Sequence, residues 1–352
     1  MFSAQAPHEA VHKFEHQETH VRGIVAIHST ALGPAAGGCR MWHYDSEERA
    51  IEDALRLSAG MTFKNALAGL PFGGGKAVLM LKPGQVLSLE ERQSLFRAFG
   101  DFIEDLGGIY VTAEDVGCTP NDMAEIAKRT SYVAGLPRRE DAAGGDPSPW
   151  TGLGVFLSMQ AAAKHVYKAE LSDLVVGIQG LGHVGMDLCT RLNEAGAKLL
   201  ISDIDSAKCA RAATLFGADV VACNQIVGHA MDVFAPCALG GILTEQSVAL
   251  LKARLICGAA NNQLATSAQG RQLAKRKIVY APDYLVNAGG IINVSAEYLG
   301  ESVGSVEQRI LQIPDRLLRL IGDSEASGEP MNILADAAAG KVIAQAYRSK
   351  VA

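Results

Sequence analysis

Residues 174–203 constrain the fold of this chain more than any other stretch. A fully apolar, β-branched run at 174–178 predicts a strand. It leads into Gly180, Gly182 and Gly185, a GxGxxG that opens a helical pattern reaching about Asn193. A second predicted strand covers 198–202 and ends at Asp203, 18 residues after the last glycine. A lone GxGxxG is weak evidence, but strand, glycines, helix, strand and acid in this order are the context that a dinucleotide-binding unit requires. The glycines permit a tight turn, close approach of a pyrophosphate and close helix packing. The helix N-terminus offers unpaired N–H groups to the phosphates. Gly180, Leu181, Gly182, His183, Val184 and Gly185 are therefore the predicted pyrophosphate loop. Asp203 is placed to accept hydrogen bonds from ribose hydroxyls and to repel a 2′-phosphate. No arginine follows within the next few positions, so NAD is expected rather than NADP.

Strands and helices keep alternating through predicted strands at 232–237, 255–258 and 278–282. The polar or glycine-rich stretches after them, PCALGG, GAANNQL and PDYLVNAGGIINV, are expected to border the cofactor crevice. From Ser305 the pattern turns helical and amphipathic, with Pro314 marking a kink or break, and 328–332 separates a last helix. A chain of 352 residues favours two domains. The stretch 135–149, rich in glycine, proline and charge, is the expected junction.

The first part of the chain centres on 60–81, GMTFKNALAGLPFGGGKAVLML, where Lys64 and Lys76 stand twelve positions apart and Gly73, Gly74 and Gly75 directly precede the second lysine. Glycines here let something approach the backbone closely, or let the chain turn with positive φ. The apolar run 77–81 predicts a buried strand, which puts Lys76 at a strand mouth. Desolvation there favours an uncharged amine able to act as a base. A phosphate-binding P-loop is excluded, because Leu70 and Ala77 occupy its glycine and hydroxyl positions. Asp45 and Glu48 have the form of a capping box, and Ile51, Ala54, Leu55, Ser58 and Met61 then share one helix face that delivers Lys64 to the region of Lys76. A strand is predicted at 21–29. A helix at 89–106, ended by Gly107 and Gly108, leads to a strand at 109–113, with Asp115 just beyond its carboxyl end, where open α/β sheets place their chemistry. His8, His12, His16 and His20 recur every four residues. This spacing predicts an amphipathic N-terminal helix using Val11 and Phe14, with metal binding as the lesser alternative.

A net charge of −6 without a long basic block argues against nucleic acid and anionic membranes as principal partners. No apolar run approaches the ~20 residues of a membrane span. The N-terminus has neither a basic start nor an apolar core of a secretion signal. Seven cysteines, scattered and never spaced as CxxC, fit reduced thiols in a cytoplasm and exclude a zinc ribbon. No metal is expected.

Taken together, LGPAAGGCRMW, GMTFKNALAGLPFGGGKAVL, TAEDVGCTPNDM, GDPSPWTGLGV, GLGHVG, FAPCALGG, GAANNQL and YAPDYLVNAGGIINV resemble, in the same order, signatures of the Glu/Leu/Phe/Val amino acid dehydrogenase family. The resemblance is closest to its leucine, phenylalanine and valine branch and covers nearly the whole chain. It implies an α/β fold with two domains around a cleft. An N-terminal substrate and oligomerisation domain would span 1–140, a Rossmann NAD-binding domain 141–324, and a tail from about 325 to 352 would return to the first. It also implies oxidative deamination of an L-amino acid to a 2-oxo acid and ammonia, in a cytoplasmic homo-oligomer. By resemblance, Lys64 holds the substrate carboxylate, Lys76 is the catalytic lysine, and Asp115 assists proton transfer at the amino group. Asn262, with Asn261 able to share its task, lies near the amine and the nicotinamide. Gly38 offers backbone beside the substrate, and Thr151 contacts the cofactor. Ala36, Met61, Ala113, Ile291 and Val294 are the implied side-chain pocket. Ala36 departs from the pattern, standing where leucine-preferring members carry a bulkier residue and glutamate-selective relatives a lysine. An apolar substrate, branched or aromatic, is therefore expected. Two other readings fit less of the sequence. A cofactor-binding sensor has no need of Lys64, Lys76 and Asp115 together. A 2-hydroxy acid dehydrogenase needs a catalytic histidine, whereas His183 is expected to face solvent.

Overall fold

The computed structural model of the chain describes residues 7–136 and 142–351. They divide into two compact units. The described residues up to Asp146, with Asn293–Val306 and those from Ala339 on, form the first unit; Pro147–Ile292 and Glu307–Ala338 form the second.

The first unit is built on a five-stranded mixed sheet made of β1 (Ala10–Glu15), β2 (Arg22–Ser29), β3 (Ala35–His43), β4 (Gly73–Leu81) and β5 (Tyr110–Glu114). The strand order is β1-β2-β4-β3-β5. β1 and β2 run antiparallel to their neighbours, whereas β3 pairs in parallel with both β4 and β5. Helix α1 (Glu47–Ala68) covers one face, where Ala50 and Ala54 pack on Ile24, Ala26 and Val78. Helix α2 (Leu89–Asp105) covers the other, burying Leu95, Phe96, Phe99 and Ile103 against Val25, Ile27, Cys39 and Leu79. Each such apolar side chain contributes roughly 1.5–3 kcal/mol by leaving water. A short helix α3 (Pro120–Ile126) follows β5 and packs beside α2.

Three expectations about this unit are corrected. Among the described residues the expected N-terminal helix is absent: His12 lies on strand β1, whose buried residue is Phe14, and His8, His16 and His20 fall outside that strand. A spacing of four is even, so it fits one face of a strand as well as a helix. The N-cap of α1 is Ser46, whose hydroxyl accepts from the Arg49 N–H, one residue later than Asp45. Gly73–Gly75 lie inside β4, and none of them has positive φ, so Lys76 stands within a strand and not at its mouth.

Residues beyond the first 146 join this unit for identifiable reasons. The Glu297 carboxylate accepts the backbone N–H groups of Gly135 and Leu136 at 3.0 and 2.8 Å, and Asn293 accepts that of Gly144 at 3.0 Å. Near the C-terminus, the Tyr347 hydroxyl donates to Glu9 at 2.5 Å, and Lys350 donates to the Thr30 carbonyl at 2.6 Å. The stretch 293–306, expected with the dinucleotide-binding part, thus belongs here, while Glu307–Ala338 does not.

The second unit opens with α4 (Ser148–Tyr167) and carries a six-stranded parallel sheet. Its strands are β6 (Val175–Gln179), β7 (Lys198–Ser202), β8 (Asp219–Val220), β9 (Val233–Pro236), β10 (Leu255–Ile256) and β11 (Val279–Tyr280). The order β11-β10-β9-β6-β7-β8 is that of a doubly wound dinucleotide-binding sheet, and it reverses between β6 and β9. Helix α5 (His183–Glu194) links β6 to β7, and α6 (Ser206–Phe216) links β7 to β8. Pro314 follows a break between the helices Val303–Ile310 and Ile313–Ser327 and occupies the first turn of the second, where its missing N–H costs nothing; the expected interruption is there as a break and not a kink. No described helix is long and apolar enough to cross a membrane.

Candidate active site

In the first unit the site is laid across three parallel strands. Side chains alternate along a strand, and Ala26 pairs with Lys76, so Lys76 shares the α1 face of the sheet with Ala26, Val78 and Met80. Gly38 on β3 pairs with Ala113 on β5, and Lys76 stands between the Ala36–Gly74 and Cys39–Ala77 pairs. One level of the sheet therefore brings Lys76, Gly38 and Ala113 side by side, with Asp115 just past the end of β5. The Lys76 amine, on a residue only 5% exposed, donates to Oδ2 of Asp115. Gly38 has to lack a side chain, because a Cβ there would lie 2.6 Å from the Glu114 carbonyl oxygen and 2.9 Å from the Asp115 Cβ.

The glycines before Lys76 act through packing. A Cβ on Gly74 would fall 2.1 Å from Thr62 Oγ1 and 2.2 Å from the Thr62 nitrogen, so α1 rests directly on β4. This seats Met61 and Lys64, one turn apart on α1 and both half-buried, beside the sheet. Met61 also lies against β3, its Cγ 3.4 Å from where a Gly37 Cβ would stand. Ala36 is 7% exposed, two residues before Gly38 and on the same side of β3.

Asp115 has a second cation. Arg40, two residues beyond Gly38, places its Nε 3.5 Å from Asp115 Oδ2. Burial drives the Asp115 carboxyl upward, but Lys76 and then Arg40 outweigh it and hold the group below the usual carboxylate range. Arg40 was not among the sequence candidates. Had 35–43 been recognised as a strand, period two would have set Ala36, Gly38 and Arg40 on one face.

In the second unit, the loops after β6, β9 and β10 meet at the carboxyl ends of the strands. Gly180 turns with φ +101°, and a Cβ on it would lie 2.7 Å from the Ala238 backbone nitrogen. A Cβ on Gly185 would be 2.0 Å from the Gly180 carbonyl oxygen, so this glycine closes α5 onto the turn. Gly182 is different, with nothing within 4 Å of an added Cβ. It is also the N-cap of α5 and supplies no capping side chain, which leaves helix N–H groups available to a phosphate. His183 begins α5 and is exposed. Asp203 accepts the Leu181 N–H at 2.6 Å and the Asp205 N–H at 2.9 Å, which leaves carboxylate lone pairs for ribose hydroxyls. The turn, the uncapped helix and the acid fit a bound dinucleotide.

The other predicted cofactor residues fall around these loops or at the start of α4. Gly241 N–H donates to the Asn262 carbonyl at 2.8 Å, and Asn262 itself adopts φ +53°. Asn261 Oδ1 accepts from Asn287 at 2.7 Å. The Thr151 hydroxyl donates to the Pro147 carbonyl at 3.1 Å. Ile291 and Val294 stand about a turn apart on the helix Gly289–Tyr298, both half-buried. Among the described residues, no group of three or more His, Cys, Asp and Glu is placed to hold a metal ion.

Comparison with known proteins agrees with this geometry. The family model described as Glu/Leu/Phe/Val dehydrogenase, dimerisation domain, matches residues 8–132, and that described as Glutamate/Leucine/Phenylalanine/Valine dehydrogenase matches 205–315. The chain is 46% identical over 321 residues to leucine dehydrogenase of Geobacillus stearothermophilus, covering 91% of this chain and 86% of the relative. It is 40% identical to phenylalanine dehydrogenase of Caldalkalibacillus thermarum, covering 92% of this chain and 88% of that one. The crystal structure of L-tryptophan dehydrogenase from Nostoc punctiforme superposes with a TM-score of 0.83 at 40% identity, covering 97% of each chain. Fold, motifs and these likenesses lead to one conclusion: the chain belongs to the glutamate/leucine/phenylalanine/valine dehydrogenase family and is an oxidoreductase of the amino acid dehydrogenase class.

Proposed function

We propose that the protein catalyses the NAD-dependent oxidative deamination of an apolar L-amino acid to its 2-oxo acid and ammonia, and the reverse reductive amination. The observation that carries this reading is the contact between the buried Lys76 amine and the half-buried Asp115 carboxylate at the end of β5. Such a pair can pass a proton over one hydrogen bond, which a solvated lysine has no means to direct. Lys64 keeps its charge to hold the substrate carboxylate. When bound, NAD takes up the hydride released from Cα. Lys76 draws a proton from the water that adds to the imine carbon, and Asp115 moves a proton toward the departing amine. Collapse of the carbinolamine then breaks the C–N bond, and ammonia and the 2-oxo acid leave.

Ala36, Met61 and Ala113 offer the substrate side chain an apolar surface. A glutamate side chain would be desolvated there without a partner, so glutamate is disfavoured. The choice of NAD over NADP rests on Asp203. Assembly as a homo-oligomer is supported by the dimerisation-domain match over 8–132, and a reducing cytoplasm by seven free thiols.

The test is a panel of valine, leucine, phenylalanine, tryptophan and glutamate with NAD or NADP, following NADH or NADPH absorbance for the wild type and Lys76→Ala. Apolar substrates with NAD are expected to turn over, and Lys76→Ala should lower kcat by on the order of 10²–10⁴ while still binding NAD. Near-normal turnover in the variant would remove Lys76 from the mechanism, and efficient use of glutamate would break the apolar-pocket reading.

A further inference from the structure

A lysine that serves as a base must spend part of the cycle uncharged, and at that moment the largely buried Asp115 loses its nearest cation. Arg40 answers this difficulty. Its Nη1 donates to Asp53 Oδ2 at 2.9 Å, and the Asp53 carboxylate is held in turn by the Tyr44 hydroxyl at 2.7 Å and by Arg56 at 2.7 Å. With that end of the guanidinium fixed, its Nε is left buried, without a hydrogen-bond partner, and 3.5 Å from the same Asp115 oxygen that Lys76 binds. A guanidinium does not lose its proton in a protein, so this charge persists when that of Lys76 does not.

Resting on the dehydrogenase reading above, we propose that Arg40 is a positioning residue: a permanent cation, anchored by Asp53, that keeps Asp115 ionised and in place while Lys76 is without its proton. The other titratable groups facing Asp115 do not substitute for it. Burial pushes the Cys39 thiol on β3 and the Tyr110 hydroxyl on β5 well up, so both stay neutral. Glu114, raised by burial and then by Asp146, Glu297 and Asp115, adds no positive charge. The largest cationic influences on Asp115 are those of Lys76 from β4 and then Arg40 from β3.

The proposal is tested by mimicking the deprotonated lysine. The ionisation of Asp115 is followed by infrared difference titration, with Asp115→Asn as the subtraction control, in Lys76→Met and in Lys76→Met combined with Arg40→Met, Arg40→Gln or Arg40→Lys. In Lys76→Met the carboxyl is expected to be ionised at neutral pH. Removing the arginine charge should raise its midpoint by about 1–3 pH units, and Arg40→Lys should raise it less. Arg40→Gln keeps hydrogen-bonding capacity and covers the case in which Arg40→Met does not fold. With Lys76 intact, Arg40→Met should also move the acidic limb of the kcat profile to higher pH, because losing a fixed cation favours the protonated pair, while KM changes less. A midpoint in Lys76→Met that is the same with and without Arg40 overturns the proposal. The titration needs no turnover, so a protein inactive on every amino acid would refute the proposed reaction and still decide whether Arg40 holds Asp115 ionised.

Discussion

In the first unit, Gly73, Gly74 and Gly75 follow an ordinary strand path, and each lacks a side chain because a neighbour already occupies the place. The Ser29 carbonyl lies 1.8 Å from a Cβ on Gly73, Thr62 lies 2.1 Å from one on Gly74, and the Tyr110 ring lies 2.7 Å from one on Gly75. In the second unit, Gly180 bends the chain with φ +101° and Gly182 faces open space. Both clusters precede the chemistry of their unit. The first brings protein against protein so that Lys76 is shut in; in the second, Gly180 and Gly185 also meet neighbouring protein atoms, and Gly182 leaves open space. A glycine in the first cluster is thus needed for packing, whereas packing does not require Gly182, which the proposed function makes a binding residue.

Substitutions can break this comparison. The largest expected effect is at Gly74, where an added methyl meets the α1 backbone, which cannot swing aside as a flexible side chain would. Gly74→Ala should destabilise the first unit by about 3 kcal/mol or more, read as a lowered unfolding transition. An unchanged transition would show that α1 can lift from β4 at little cost.

The same close approach confines His28, whose Nδ1 is 2.8 Å from Thr62 Oγ1. Burial, then the neighbouring His8, lowers its pKa from 6.5 to about 4. A histidine whose folded pKa lies below its unfolded value contributes stability that is whole above about pH 6.5 and drains away as the pH falls toward 4, since the unfolded chain takes up the proton first. Between pH 7 and 4.5 the wild type is expected to lose on the order of 2 kcal/mol more than His28→Gln. Parallel pH dependence in the two proteins would contradict the burial argument.

Gly182→Ala should fold as well as the wild type, because nothing obstructs the methyl, yet weaken NAD binding by about tenfold or more, equivalent to ~1.4 kcal/mol. Calorimetric titration with NAD measures this, and an unaltered affinity would mean that no phosphate approaches Gly182. The smallest effect is expected on cofactor choice. Asp203→Ser with Ile204→Arg, on a residue 96% exposed, removes a repelling carboxylate and adds a phosphate partner. Lys208 already sends a cationic influence to Asp203, which softens the present discrimination. The ratio of kcat/KM for NADP over NAD should rise severalfold to about a hundredfold.

The legibility of the two units in the sequence differs for the same reason as their glycines. β6, α5 and β7 follow one another within a short stretch, so apolar runs, glycine spacing and the acid at 203 place them nearly to the residue. β3 escapes such reading. Its start, Ala35-Ala36-Gly37-Gly38, has no β-branched residue, and it is a strand because β4 and β5 bind it on both sides. The stretch around β1 misleads because an even spacing of histidines, of which β1 itself holds His12, satisfies a helix and a strand equally. The glycines before Lys76 are visible as glycines, but whether they turn or pack depends on Thr62 and Tyr110 lying above and below them.

By itself the sequence determined the strand–turn–helix–strand core of the doubly wound second unit, with its glycine turn and Asp203 at the end of β7, and it singled out Lys64, Lys76 and Asp115. These rest on periodicity, glycine spacing and motif order, which act over a few residues or survive as resemblance. Only the tertiary structure decided that Lys76 is buried within a strand and that its amine reaches Asp115, 39 residues later. It also decided that the Arg40 guanidinium, pinned by Asp53, shares the same carboxylate oxygen. Parallel strands bring distant residues to one level of a sheet, and the register that does so is set by the packing of α1 and α2 on its faces, which no local pattern records.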